Sequence, residues 1–182
     1  MMPFTFPVSV SADMRPLFKV FNSRSESMNQ WLRQWCLLNE EEGYSRTYVS
    51  FCRDTEKLVG YYTLSNFAIL TKDVQPQHLL RRSPTMIPCM LLGRLAVDQS
   101  CEKQGLGKAL VKNAIRNTLQ SAESSGIWAL VVHPFTPSLI SFYSSLNFRM
   151  SANDETLMMY YVLRNRKSEN KEAFFQIRIP PT

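Results

Sequence analysis

Apolar residues along this chain recur with two different periods, and the switches between them divide it into alternating strands and helices. Alternation over residues 4–10 predicts a first strand. Ser23-Arg24-Ser25-Glu26 reads as a capping box, in which a serine hydroxyl and a glutamate three residues on satisfy each other's free amides. It opens a predicted helix through residue 42, with Met28, Trp31, Leu32, Trp35 and Leu38 on one face and Gly43 ending it. Residues 44–52 and 58–69 alternate as a strand pair around the polar turn Arg53-Asp54-Thr55-Glu56-Lys57. A loop rich in proline and charge covers 72–88, followed by a strand at 89–97 and a helix from about residue 104 to 122 whose core side carries Leu106, Leu110, Ala114 and Leu119. Gly126 restarts the chain as a strand at 127–132. Pro137 suits the first turn of a short helix reaching residue 146, and Asn147 suits the left-handed position after it. Strands at 148–151 and 157–163 finish a chain of α/β (α+β) class, expected to form one domain over residues 1–163.

The remaining stretch, 164–182, has a different character. Arg164, Arg166, Lys167, Lys171 and Arg178 outnumber its acids, and residues 173–179 look strand-like, which predicts a basic linker ending in an edge that pairs with the domain or with a second copy as a homodimer. Composition otherwise narrows the field. A 45% hydrophobic fraction over 182 residues supports a sizeable core. No run approaches the roughly 18 continuous apolar residues of a membrane helix, and residues 1–15 lack the basic-then-apolar order of a signal peptide, so the expected setting is cytoplasmic with no membrane partner. Cys36, Cys52, Cys89 and Cys101 are scattered without a C-x-x-C, and with two histidines to join them no metal site is expected. A net charge of +6 favours an acidic partner.

The chemistry concentrates at residues 91–110, where an apolar strand passes through a short polar turn with two glycines straight into an amphipathic helix. Glycines permit close backbone approach, and the free amides of a first helical turn, backed by the helix dipole, attract an anion. Spacing narrows which anion. A P-loop requires G-x-x-x-x-G-K-[ST], but Glu102 stands where its first glycine belongs and Ala109 follows Gly107-Lys108; a dinucleotide fingerprint requires a third glycine where Leu110 stands. What remains, a Q/R-x-x-G-x-G/A loop after a strand, resembles the GNAT superfamily of N-acetyltransferases. That resemblance implies a mixed, mostly antiparallel twisted sheet of about seven strands flanked by helices. It also implies acetyl-CoA as cosubstrate, its pyrophosphate in the loop Lys103, Gln104, Gly105, Leu106, Gly107 and Lys108, its pantetheine arm on the backbone of Leu95, Ala96 and Val97. Glu102 departs from the pattern, since a carboxylate facing the pyrophosphate would repel it; it is expected to point outward.

Ser141-Phe142-Tyr143-Ser144-Ser145-Leu146-Asn147-Phe148 resembles the family's F-Y-x-x-x-G-F segment, which implies that Tyr143 protonates the departing thiolate. Asparagine at 147 replaces the usual glycine and tolerates the same left-handed backbone. A general base is less evident; His133, at the end of the strand before the helix of Tyr143, is the candidate. An α-amine titrates near ~7.7–8.0 against ~10.4 for a lysine side chain, so a missing carboxylate base leans toward an α-amine substrate. Lys108, Lys112 and Arg116 recur every four residues as one cationic stripe, which serves equally as a solvated face or as a binding surface for nucleotide phosphates or a nucleic-acid backbone. Arg81, Arg82 and Arg149 extend the positive charge, and Arg94, inside an apolar strand, needs a partner or a role at the site.

Further stretches carry a narrower resemblance: 27–33, Gly43-Tyr44-Ser45-Arg46-Thr47-Tyr48-Val49, Val59-Gly60-Tyr61-Tyr62-Thr63-Leu64, Ile87-Pro88, and Leu92-Gly93-Arg94-Leu95-Ala96-Val97-Asp98. Over residues 22–163 the chain is similar to the GNAT toxins of bacterial toxin–antitoxin modules. This implies acetylation of the α-amine of aminoacyl-tRNA, arrest of translation, a cognate antitoxin of ribbon-helix-helix type, and operator DNA bound through that antitoxin. Two other readings stay open: an acetyltransferase for a small amine or a protein N-terminus, and a CoA-binding regulatory module without chemistry.

Overall fold

The computed structural model describes residues 3–75, 83–152 and 157–163. Arg81 and Arg82, and the tail 164–182 with its predicted edge at 173–179, lie outside the described residues. The described part forms one seven-stranded sheet in the order β1-β2-β3-β4-β5-β7-β6. Its strands are β1 (Val8–Ser9), β2 (Arg46–Phe51), β3 (Leu58–Leu70), β4 (Met86–Val97), β5 (Ala129–Val132), β6 (Arg149–Met150) and β7 (Met159–Val162). All ladders are antiparallel except β4 with β5. The helices are α1 (Glu26–Gln34), α2 (Cys36–Glu41), α3 (Leu106–Ser121) and α4 (Pro137–Ser144).

Alternation along β3 assigns the two faces. Tyr62 and Leu64 point toward α3 and α4, where they meet Leu106, Leu110, Ala114, Leu130, Tyr143 and Phe148 in the larger core. Tyr61 points the other way, into a core with Phe18, Phe21, Trp31, Leu32 and Cys36 beneath α1 and α2. Gly60 lets α3 lie this close, because a Cβ there would sit 3.0 Å from Leu110 Cδ1 and 3.2 Å from Leu106 Cδ2. The buried Tyr62 hydroxyl donates to Asn113 Oδ1 and accepts from Asn117 Nδ2 at 2.8 Å, which fixes α3 along its axis against β3.

Several expected boundaries differ. The stretch 4–10 pairs as a strand only at Val8–Ser9, with Phe4 in an isolated bridge to Cys52; Pro7 interrupts it by removing a ladder donor. A 3-10 helix at Ala12–Lys19, which the periodicity did not reveal, follows and buries Phe18. The single helix 26–42 is broken at Trp35. The break changes the phase, so Cys36 turns inward while Trp35 and Leu38, assigned to the core face, are 50% and 43% exposed. The capping box does not form: Ser25 is the N-cap, without a side-chain cap bond. Asn29, nearly sealed from solvent, takes the roles instead. Its Oδ1 accepts from the Ser23 amide and hydroxyl, each at 2.8 Å, and its Nδ2 donates to Glu26 Oε2 at 3.1 Å. A buried amide must satisfy its polar atoms, and here that demand outweighs a surface cap. Strand β4 begins at Met86 rather than 89, because β3 continues to pair with it as far as Leu70.

Candidate active site

Strand β4 changes neighbours along its length, and that change opens the site. Beside β5 it pairs only at Cys89–Leu91, whereas beside β3 it continues to Val97. Between Thr63 and Leu64 the β3 register slips, with Thr63 opposite Arg94 and Leu64 opposite Leu92, so Gly93 is a bulge. Its missing Cβ matters, since one would lie 3.3 Å from Thr63 Oγ1. The bulge bends β4 away from β5, and on that side the backbone of Leu95, Ala96 and Val97 has no ladder partner among the described residues. A thin chain with amide groups fits such an opening.

At the end of β4 the chain turns through a 3-10 segment, Gln99–Cys101, into the glycine loop. Lys103 and Gly105 both have left-handed backbone, with φ of 58° and 84°, and successive turns of this kind aim amides into a common concavity. Gly105 is the N-cap of α3 and supplies no side-chain cap, so the first-turn amides at Leu106, Gly107 and Lys108 stay available to an anion. Gly107 marks the wall of the concavity: a Cβ there would meet the Phe142 ring at 3.7 Å and Val97 Cγ2 at 3.9 Å. The loop, the end of β4 and α4 therefore converge, as a phosphate group flanked by an extended arm requires. Lys108, Lys112 and Arg116 are exposed along α3, with the Arg116 guanidinium 5.8 Å from the Phe6 ring centre.

Glu102 is paired with Arg24. Arg24 Nε lies 2.9 and 2.8 Å from its two carboxylate oxygens, so the charge that would oppose a pyrophosphate is compensated. Asp98, 2% exposed, is the other fixed point of this turn. Its Oδ1 accepts from the Ser100 hydroxyl at 2.6 Å, the Ser100 amide at 3.0 Å and Lys57 Nζ at 3.3 Å; its Oδ2 accepts from the Asn22 amide at 2.9 Å. Burial alone would raise its pKa, but these donors together hold it below the usual carboxylate range.

Tyr143 follows Phe142 on α4, a helix opened by Thr136, whose hydroxyl accepts from the Leu139 amide at 3.3 Å, with Pro137 in its first turn. Asn147 has the expected left-handed backbone, with φ of 66°, and turns the chain back so that Phe148 packs on Tyr143 with ring centres 5.3 Å apart. Phe142 packs edge-on from the other side at 5.1 Å. Burial pushes the Tyr143 hydroxyl up to about 12, and among the described residues no hydrogen bond occupies it. It is thus a protonated, unengaged donor near the loop.

The opposite face of the sheet carries Arg94. Its guanidinium lies 4.8 Å from the Trp31 ring centre, with Nη1 3.8 Å from Met28 Sδ, and no carboxylate pairs with it among the described residues. Stacking on Trp31 is the partner that its position in an apolar strand demanded. His133, exposed past the end of β5, packs edge-on against Phe67 at 5.6 Å; partial desolvation lowers its pKa, which favours the neutral imidazole. Arg149 is exposed on β6, away from the loop at the far edge of the sheet. The sequence pattern missed three members of the site: Asn22 and Arg24, which brace the loop from the segment before α1, and Trp31 as the seat of Arg94. A carboxylate directly after an apolar strand and two residues before Ser100 was a legible turn signal for Asp98.

Comparison with known proteins bears on the family and the fold. The chain is 35% identical over 139 residues to a tRNA-acetylating toxin of Mycobacterium tuberculosis (strain ATCC 25618 / H37Rv), spanning 76% of this chain and 82% of that protein. Its fold is similar to that of AtaT complexed with acetyl-methionyl-tRNAfMet, with a TM-score of 0.82 and 23% identity over 87% of this chain and 94% of the other. It is also similar to a KacTA–DNA complex, with a TM-score of 0.70 and 26% identity over 87% and 92% of the two chains. A model of the acetyltransferase (GNAT) family matches residues 11–148, and the chain belongs to that family.

Proposed function

We propose that this protein is the toxin of a toxin–antitoxin module, transferring acetyl from acetyl-CoA to the α-amine of aminoacyl-tRNA and so blocking translation. The observation that carries the reading is the likeness to the tRNA-acetylating toxin, 35% identical across 76% of the chain, joined to a site with an anion loop and a protonated tyrosine. The loop amides at Lys103–Lys108 hold the pyrophosphate and the free edge of β4 at Leu95–Val97 holds the pantetheine arm. The amine nitrogen attacks the thioester carbon, and the C–S bond breaks. Sulfur leaves with a proton from the Tyr143 hydroxyl, and the proton shed by the new ammonium restores the phenol.

That last transfer returns the catalyst to its starting state, and the raised phenol favours it. A thiol titrates near ~8.5, so a phenol held at about 12 does not give up its proton for good; it relays one. His133, whose neutral form partial desolvation favours, is the candidate to take up the amine proton. Arg94 offers unpaired donors for a phosphate or ester oxygen of the acceptor, and with Lys112 and Arg116 it supports an RNA partner. Antitoxin, its ribbon-helix-helix part and operator DNA enter as partners by the same likeness, as the KacTA–DNA complex illustrates for its own chains.

Cell-free translation tests the proposal. Purified protein with acetyl-CoA should halt synthesis, protein with CoA alone should not, and Tyr143→Phe should be inert. Unimpaired synthesis in the presence of acetyl-CoA would favour the small-amine or protein N-terminus reading.

A further inference from the structure

The glycine loop does not stand alone on β4; it is tied at three successive points to the segment that precedes α1. Asp98 Oδ2 accepts from the Asn22 amide at 2.9 Å, the Gln99 amide donates to the Asn22 carbonyl at 3.0 Å, and Glu102 pairs with Arg24. Gln99 Nε2 adds a bond to the Ser23 carbonyl at 3.3 Å. Of these, Asp98 is the anchor. It is buried, takes four donors, and acts on both sides of the turn: Oδ1 fixes Ser100 and Lys57, Oδ2 fixes Asn22. The Glu102 pair is solvent-exposed and contributes little by itself.

The consequence for the loop is geometric. The Asp98 amide closes the end of β3 by donating to the Val59 carbonyl at 2.8 Å, and the Cys101 amide donates to the Asp98 carbonyl at 2.9 Å. Residue 98 thus sets the direction in which the chain leaves the sheet. Lys103 follows in a left-handed conformation that a side-chain-bearing residue adopts only when its surroundings compel it. We infer that Asp98 is a positioning residue for the acetyl donor: its carboxylate holds the 98–101 turn so that the Lys103–Lys108 amides converge on the pyrophosphate. The inference rests on the reading of this loop as the acetyl-CoA site, and it assigns Asp98 no contact with the reacting atoms.

A donor that lacks the pyrophosphate separates this role from general stability. Asp98→Asn keeps the shape but cannot accept all four donors, and Ser100→Ala removes one hydroxyl and leaves the carboxylate. Two quantities are read for each: the Kd of acetyl-CoA by equilibrium dialysis, and kcat/KM with acetyl-CoA and with S-acetylpantetheine at a fixed concentration of mixed aminoacyl-tRNAs. Asp98→Asn should raise the acetyl-CoA Kd about tenfold and lower kcat/KM for acetyl-CoA by the same factor, while kcat/KM for S-acetylpantetheine and kcat at saturating acetyl-CoA change less than about threefold. Ser100→Ala should move the same way by a smaller factor, and serves alone if the asparagine variant does not fold. An equal loss with both donors, or no loss with either, overturns the inference. Failure of the unmodified protein to bind acetyl-CoA at all overturns the reading of the loop itself.

Discussion

At Tyr143 the environment sets the chemistry. Two aromatic rings and the α3 core strip water from the phenol, which disfavours its ionised form and moves it up to about 12. In the proposed role of Tyr143 as acid the protonated form acts, so this shift extends activity at the alkaline side. The pH profile of kcat/KM should rise with ionisation of the acceptor α-amine, near ~7.7–8.0, and stay flat past pH ~10, where an unperturbed tyrosine would already be lost. Tyr143→Phe should cost ~10²-fold or more in kcat and leave the Kd of acetyl-CoA within about threefold, because the phenol hydroxyl is not part of the pyrophosphate loop. At Arg94 the relevant property is its seat. Arg94→Lys keeps the charge but loses the planar stack on Trp31, so the KM for aminoacyl-tRNA should rise severalfold with the KM for acetyl-CoA unchanged. Steady-state kinetics with each substrate varied in turn checks both.

Among the elements, the junction of β3 with α3 sets how the loop is presented. Gly60→Val would push a branched side chain into Leu110, Leu106 and the Ala96 carbonyl, 3.0 to 3.4 Å from the first added carbon. Overpacking of this kind costs about 1–3 kcal/mol, and denaturant unfolding should show it as a lower midpoint with an unchanged slope. Long elements of strong period were legible from the sequence: β3, α3 and the turn at Asn147 lie where periodicity and local backbone preference place them, and β4 does so from residue 89 onward. Elements fixed by distant partners were not. The break at Trp35 and the failure of the Ser23 cap both follow from what α1 packs on, namely Tyr61 and the buried Asn29 network, and neither is encoded in local spacing. The same holds for the site. The loop and Tyr143 sit in short recognisable segments, whereas the Asn22 and Arg24 braces lie about eighty residues upstream of the turn they hold, and only the folded chain brings them together.

At the scale of the whole molecule, one sheet divides the chain into two layers. The loop, α3 and α4 lie on one face; Arg94, Trp31 and the α1–α2 layer lie on the other, and in the proposed function these faces take the acetyl donor and the acceptor. The net charge of +6 and the Lys108, Lys112 and Arg116 stripe, on a helix without a single acid, match a polyanionic acceptor. Binding of aminoacyl-tRNA should therefore weaken steeply with salt, and replacing Lys112 and Arg116 by alanine should flatten a log–log plot of affinity against salt by about 1.4–1.8 if each meets one phosphate. An unchanged slope would remove the stripe from the RNA surface. The most direct test of the central claim is acetyl transfer itself. The purified protein is incubated with acetyl-labelled acetyl-CoA and a complete set of charged tRNAs, and the RNA-linked label is located by mild hydrolysis of the ester. The account predicts label on the α-amine of at least one aminoacyl-tRNA, absent with uncharged tRNA and lost in Tyr143→Phe; label on no aminoacyl-tRNA would contradict it.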